Sequence, residues 1–279
     1  MTHQIKSYAK INLALNIVGK NSVLHKIESI IAFIELHDVI KISLTNSKKH
    51  NISFYGKFSK NISSNNTVAK LLKILDKRKL LKNKKFKITI KKQIPSKAGL
   101  GGGSMNSASI LRFLAKKKII KVTKKELLKI AKLVGSDVIL GLNPISSILT
   151  SKNKLKYFNK SEKFHILVIK PNFGCSTEDM YSRVRKYNKP KISHANKNMF
   201  KLANLKKMGN SLEPIALTKY PRLKKLKVYL ENLSPEFVRL TGSGSALVAY
   251  FQSKVSCETA RKKFIKKYKN YWCIASKTI

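Results

Sequence analysis

The sequence predicts an α+β fold. Three observations carry this reading: an opening stretch with a two-residue apolar period, later runs with apolar residues at helical spacing, and no regular strand–helix–strand alternation linking them. At 279 residues the chain has room for one large domain or two moderate ones, since domains commonly run about 100–200 residues.

In the first segment Ile5, Ser7, Ala9, Ile11, Leu13, Leu15 and Ile17 fall on one side, and Lys6, Tyr8, Lys10, Asn12 and Asn16 on the other. That is the pattern of a long, half-buried strand. Further strands are predicted at 39–44 and 52–55, followed by a helix over 66–77 with Val68, Leu71, Leu72 and Leu75 on one face. Phe86, Ile88, Ile90 and Ile94 alternate with polar residues in the next strand. A glycine-rich stretch then leads into an apolar helix carrying Ala108, Leu111, Leu114 and Ala115, and a second helix covers 124–133. In the later half, 165–170 reads as a buried strand. Residues 176–185 and 214–232 read as helices, the second kinked or broken at Pro221. Short strands at 237–240 and 246–251 flank Gly-Ser pairs, and a helix over 255–267 and a strand over 272–276 close the sequence. These elements suit two lobes, 1–150 and 151–279.

The 59 Lys and Arg against 13 Asp and Glu give a formal net charge of +46. So lopsided a balance attracts polyanions at long range. Yet seven of the 59 are Arg, leaving 52 Lys beside abundant Ile and Asn. A/T-rich codons produce that trio, whereas nucleic-acid readers favour Arg for its fork of donors. The lysines also run through every segment without an RRM, KH or helix-turn-helix signature, which makes a basic nucleic-acid-binding protein the weaker reading. A hydrophobic fraction of 43% argues against disorder. Cys175, Cys257 and Cys273 are odd in number and widely spaced, implying neither a disulfide framework nor a zinc site and fitting a reducing compartment. The six His show no metal-ligand spacing. Apolar runs such as 30–34 fall far short of the roughly 20 residues that span a bilayer, and residues 1–10 offer no signal-peptide core. A cytoplasmic protein with no membrane and no specific nucleic-acid partner is expected.

The strongest local signal is Ile94-Pro95-Ser96-Lys97-Ala98-Gly99-Leu100-Gly101-Gly102-Gly103-Ser104, which follows a strand and opens a helix with Ser104 as its expected N-cap. Glycines let the backbone approach a ligand and aim N–H groups at it, and a helix N-terminus adds partial positive charge, so a phosphate is the natural guest. A Walker loop needs Gly-Lys before Ser or Thr, and the dinucleotide fingerprint needs Gly at position 104; neither fits. Lys10 and Asn12 project from the same face of the first strand, about 7 Å apart, where they could touch one bound group or simply face solvent. Asp137, one of four Asp, sits in the apolar Val134-Gly135-Ser136-Asp137-Val138-Ile139 just after a helix. A carboxylate there caps the next segment or does chemistry, because a buried unpaired charge is costly. Leu240-Thr241-Gly242-Ser243-Gly244-Ser245-Ala246 forms a second tight glycine turn.

Taken in order, these segments resemble the GHMP kinases. The first family motif resembles Ala9-Lys10-Ile11-Asn12-Leu13, the second the phosphate loop from Pro95 through Met105 to Asn106, and the third the turn with Gly242, Ser243 and Gly244, while Gly135-Ser136-Asp137-Val138 matches the catalytic aspartate segment. The resemblance implies a two-lobed kinase with its active site in the cleft between lobes, ATP over the glycine loop from Pro95 to Met105, and Mg²⁺ carried by the nucleotide phosphates. It further implies transfer of the γ-phosphoryl to the 2-hydroxyl of a cytidine-diphosphate-capped methylerythritol, in the non-mevalonate route to isoprenoid precursors. Asp137 would accept the hydroxyl proton or orient the hydroxyl. Lys10 would hold Asp137 ionised and stabilise developing negative charge.

On the substrate side, the resemblance makes His25 the reader of the cytosine, Tyr181 an aromatic ring against it, and Asn12 a substrate contact. Four departures stand out: Leu24 replaces a tyrosine beside the histidine, Met105 replaces a serine, Lys97 replaces a small residue and Ile139 a frequent proline. Lys97 would add positive charge near the triphosphate. Homoserine, mevalonate or a sugar are the alternative acceptors within the family, and a monomer or weak homodimer is expected.

Overall fold

The two-residue period of the opening segment becomes β1 (Thr2–Lys20), which pairs with a still longer β2 (His25–Thr45). The computed structural model describes residues 1–21 and 25–279, so Leu24 lies outside the described residues. Two compact units emerge, interleaved in sequence. One comprises Met1–Ala9, Leu36–Ser96 and Gly101–Pro144; the other comprises Lys10–Glu35, Lys97–Leu100 and Ile145–Ile279.

The first unit is built on β2, β4 (Lys85–Lys91) and β3 (Asn51–Tyr55). Strand β4 runs antiparallel to β2, with Val39 opposite Lys91 and Thr45 opposite Lys85, and parallel to β3. Helices α1 (Thr67–Lys77), α2 (Gly102–Lys116), α3 (Lys124–Val134) and the short α4 (Val138–Leu142) bury their apolar faces with Ile40, Ile42, Phe86, Ile88 and Ile90 in one core. Local chemistry sets the helix starts. The Asn66 side chain accepts the N–H groups of Val68 and Ala69 to begin α1, and Thr123 and Glu126 cap each other's backbone to begin α3. The strand expected to include Ile94 ends at Lys91, because the following residues turn to meet a buried acid, Asp38. Helix α2 begins earlier than Ser104: Gly101, in the left-handed conformation, is its N-cap and places Ser104 inside the first turn. The expected serine cap is therefore corrected.

In the second unit β5 (Ser147–Leu149) pairs with β2 and with β6 (Leu155–Tyr157). A separate antiparallel sheet runs in the order β10 (Trp272–Lys277), β7 (His165–Lys170), β9 (Leu247–Phe251), β8 (Phe237–Leu240). Leu167, Ile169, Leu240, Leu247 and Ala249 from this sheet pack with Leu15 and Ile17 and with apolar residues of α5 (Thr177–Ser182), α7 (Glu213–Lys219), α8 (Pro221–Glu231) and α9 (Lys254–Lys267). Each fully buried Leu or Ile there contributes about 1.5–3 kcal/mol relative to exposure. A short α6 (Leu202–Lys206) follows a 3₁₀ turn. The break at Pro221 is real: α7 stops at Lys219, Tyr220 adopts φ −122° and ψ 85°, and α8 starts on the proline.

Candidate active site

Alternation in β1 breaks down where the chemistry is expected. Both faces are buried from Ala9 to Leu15, and Lys10 and Asn12 are each only 4% exposed. A solvent-facing strand surface is thereby excluded. Within the second unit the Lys10 ammonium donates to Asn12 Oδ1 at 2.7 Å, Asn12 Nδ2 donates to Ser29 Oγ at 2.8 Å, and Ser29 Oγ donates to the Ala14 carbonyl. Asn12 is also tied through its backbone, whose N–H donates to Thr241 Oγ1 at 3.0 Å. Both ends of its amide are engaged inside the protein. Its hydrogen bond to the ammonium holds the lysine in place, where spacing along the strand left open whether the two touch one bound group.

The same Thr241 leads into the third glycine motif, which packs on the centre of the glycine loop. Gly99 has φ +73°, and a Cβ there would sit 1.9 Å from the Thr241 carbonyl oxygen, so glycine is obligatory. Ser245 N donates to Lys97 O at 3.2 Å, Ala246 N to Ala98 O at 3.3 Å, and Lys10 N to Leu100 O at 3.1 Å. Residues 97–100 are therefore fixed by two segments remote in sequence, one carrying Lys10 and the other carrying Gly242, Ser243 and Gly244. Ser243 Oγ pairs with Thr177 Oγ1 at 3.0 Å. The exposed Lys97 also takes a left-handed backbone, with φ +51°.

In the first unit the remaining loop residues, Pro95, Ser96 and Gly101 through Ser104, run into α2, where Thr67 Oγ1 donates to Gly103 O at 2.8 Å. Met105 is packed between helices: it is 1% exposed, and its sulfur would lie 3.0 Å from a Cβ on Gly141, the glycine that lets α4 approach α2. Asp137 occupies the N-cap position of α4 but makes no capping hydrogen bond, and it is half-buried rather than buried. Its carboxylate is not spent on ending a helix.

His25 and Tyr181 come together in the second unit, their ring centroids 5.2 Å apart, and Tyr187 adds a third ring 6.2 Å from His25. Burial, and then the nearby Lys20 charge, lower the His25 pKa, which leaves a neutral imidazole with one donor and one acceptor at neutral pH. A cavity of about 220 Å³ in the same unit is lined by Asn16, Glu28, Asn188, Lys191 and Ser211 among others. Glu28 is fully buried and accepts from Asn16 Nδ2, Lys191 N and Ile192 N, fastening residues 188–192 beside the strands.

Sequence reasoning passed over Glu28 and three other buried charges, Asp38, Lys92 and Arg239. Arg239 donates to the carbonyls of Leu13, Leu205 and Met208 just before the third glycine motif, and Asp38 gathers donors around the loop's stems. The scarcity of acids that singled out Asp137 applied equally to Asp38. Among the described residues no three His, Cys, Asp or Glu side chains group to hold a metal ion.

Residues 66–148 match the family model described as the GHMP kinases N terminal domain. A 4-diphosphocytidyl-2-C-methyl-D-erythritol kinase of Pelagibacter ubique is 55% identical over 99% of each chain. Among solved structures, a 4-(cytidine 5'-diphospho)-2C-methyl-D-erythritol kinase superposes with a TM-score of 0.79 at 21% identity, covering 99% of this chain and 100% of that one. A homoserine kinase from Cytophaga hutchinsonii follows with a TM-score of 0.74 at 15% identity, covering 100% and 94%. These two likenesses establish the fold that the motifs imply. GHMP kinases use ATP as co-substrate, and the full-length match at 55% identity fixes the placement: the chain belongs to the GHMP kinases, in the family of the 4-diphosphocytidyl-2-C-methyl-D-erythritol kinases.

Proposed function

We propose that the protein transfers the γ-phosphoryl group of ATP to the 2-hydroxyl of 4-diphosphocytidyl-2-C-methyl-D-erythritol. The observation that carries this reading is the 55% identity over 99% of both chains to a kinase of that name. The paired rings of His25 and Tyr181 support it, since a neutral imidazole beside an aromatic face suits a pyrimidine. Homoserine and mevalonate present no ring for such a surface.

In this reading the substrate 2-oxygen forms a bond to the γ-phosphorus while the bond from that phosphorus to the bridging oxygen breaks, releasing ADP. Asp137 takes the hydroxyl proton. The Lys10 ammonium, oriented by Asn12, stabilises the negative charge that builds during transfer. Backbone N–H groups of the glycine loop and the start of α2 face the triphosphate. Mg²⁺, which offsets phosphate charge in such reactions, would arrive on the nucleotide with few protein ligands. The test is ADP release by the purified chain with the cytidyl substrate, with homoserine, with mevalonate, and with no acceptor. Release that depends on the cytidyl substrate supports the reading; equal release with another acceptor contradicts it.

A further inference from the structure

One buried acid plays no part in the chemistry above. Asp38, in β2, is fully buried, and its two oxygens divide their partners. Oδ1 accepts the backbone N–H groups of Gln93 at 2.7 Å and Ile94 at 2.9 Å. Oδ2 accepts from Lys92 Nζ and from Asn106 Nδ2, the latter at 3.0 Å. Gln93 and Ile94 immediately precede the glycine loop, and Asn106 follows it inside α2. A single carboxylate therefore ties together the two stems of the loop, all within the first unit.

Four donors saturate the carboxylate, which is what makes so deep a charge tolerable, and the Lys92 ammonium balances it. Asn106 is the informative member. It is 1% exposed, yet its Oδ1 has no hydrogen-bond partner among the described residues. A buried acceptor left unmatched is unfavourable, and it offsets part of what the donation to Asp38 contributes to stability. Among the described residues its side chain makes one hydrogen bond, the one to Asp38, and that bond holds the start of α2 against the acid.

We propose that Asp38 is a positioning residue of the phosphate loop, holding Gln93 and Ile94 at its entry and Asn106 at its exit so that its N–H groups are set for the triphosphate. This rests on the reading that the loop binds ATP. Asp38→Asn offers one acceptor oxygen and an NH₂ group to four donors, so one stem loses its anchor. Asn106→Leu cuts the exit arm alone while removing the orphaned acceptor, which keeps a folded variant available if Asp38→Asn does not fold.

The experiment measures KM for ATP and for the alcohol substrate in both variants, beside thermal melting. We expect KM for ATP to rise by at least about tenfold in Asp38→Asn and about threefold in Asn106→Leu. KM for the alcohol should stay within about twofold, and Asn106→Leu, which takes one of four donors from Asp38 but also removes the unmatched acceptor, should melt less far below the parent chain than Asp38→Asn. Unchanged KM for ATP in Asn106→Leu, or a parallel rise in both constants, overturns the proposal. Failure of the parent chain to bind ATP overturns the loop reading together with it, whereas parent binding with unaffected variants overturns this proposal alone.

Discussion

The Lys10 ammonium lies 2.7 Å from Asn12 Oδ1, and both residues are almost completely buried in a strand whose Thr2, Gln4 and Lys6 are exposed near its start. A lysine so placed is a fixed charge rather than a mobile one, and the hydrogen bond helps set where it points. Replacing Asn12 by Leu keeps the volume and removes the acceptor. A hydrogen bond to a charged group contributes about 1.5–3 kcal/mol, so kcat is expected to fall about tenfold to a hundredfold with KM for ATP little changed. Steady-state kinetics check this, and an unaltered kcat would remove Asn12 from any part in orienting Lys10.

Asp137 carries a sharper expectation. Because its carboxylate is not used to cap α4, Asp137→Ala should leave folding intact and slow turnover by at least about a hundredfold, the usual share of a positioned base. Circular dichroism and single-turnover rates on the same preparation separate the two effects. Turnover like that of the parent chain would take Asp137 out of the mechanism.

Gly99→Ala tests the junction between the glycine loop and the third motif. The new methyl would meet the Thr241 carbonyl at 1.9 Å in a backbone already at φ +73°, and neither side can yield without disturbing the bonds from Ser245 and Ala246 to residues 97 and 98. Loss of ATP binding by calorimetry is expected, accompanied by a lower melting temperature. Full ATP affinity in this variant would mean that the loop's centre is not part of the nucleotide site.

The lowered pKa of His25 sets the pH behaviour. The folded state holds the proton less tightly than the unfolded chain, whose value is 6.5, so this group adds a destabilising term only as the pH falls below 6.5. A neutral ring reads the base, and KM for the cytidyl substrate is therefore expected to be level between about pH 7 and 8 and to climb on further acidification. His25→Ala should raise that KM and flatten its acid limb. An acid limb unchanged in this variant would assign the titration to another group.

Much of this was legible because period and punctuation are local. The two-residue rhythm of β1, the helical spacing around Val68 to Leu75 and the break at Pro221 each follow from neighbouring residues alone. The α2 start was misplaced because the helix begins from a left-handed glycine at 101 with no side-chain cap to announce it. Motif order brought out Lys10, Asp137 and the loop. Long-range polar partners were not readable: nothing near Asp38 in sequence announces Gln93 or Asn106, and nothing near Glu28 announces Lys191 and Ile192. Those bonds join residues more than fifty positions apart, where periodicity carries no information.

The net charge of +46 tells less about partners than about background. The most direct test of the account is the rate of ADP release by the purified chain with ATP, Mg²⁺ and 4-diphosphocytidyl-2-C-methyl-D-erythritol, set against the same mixture lacking that alcohol. Release is expected to require the cytidyl alcohol and to be lost in Lys10→Ala and Asp137→Ala. Release that proceeds equally without it, or that survives both substitutions, would contradict the account.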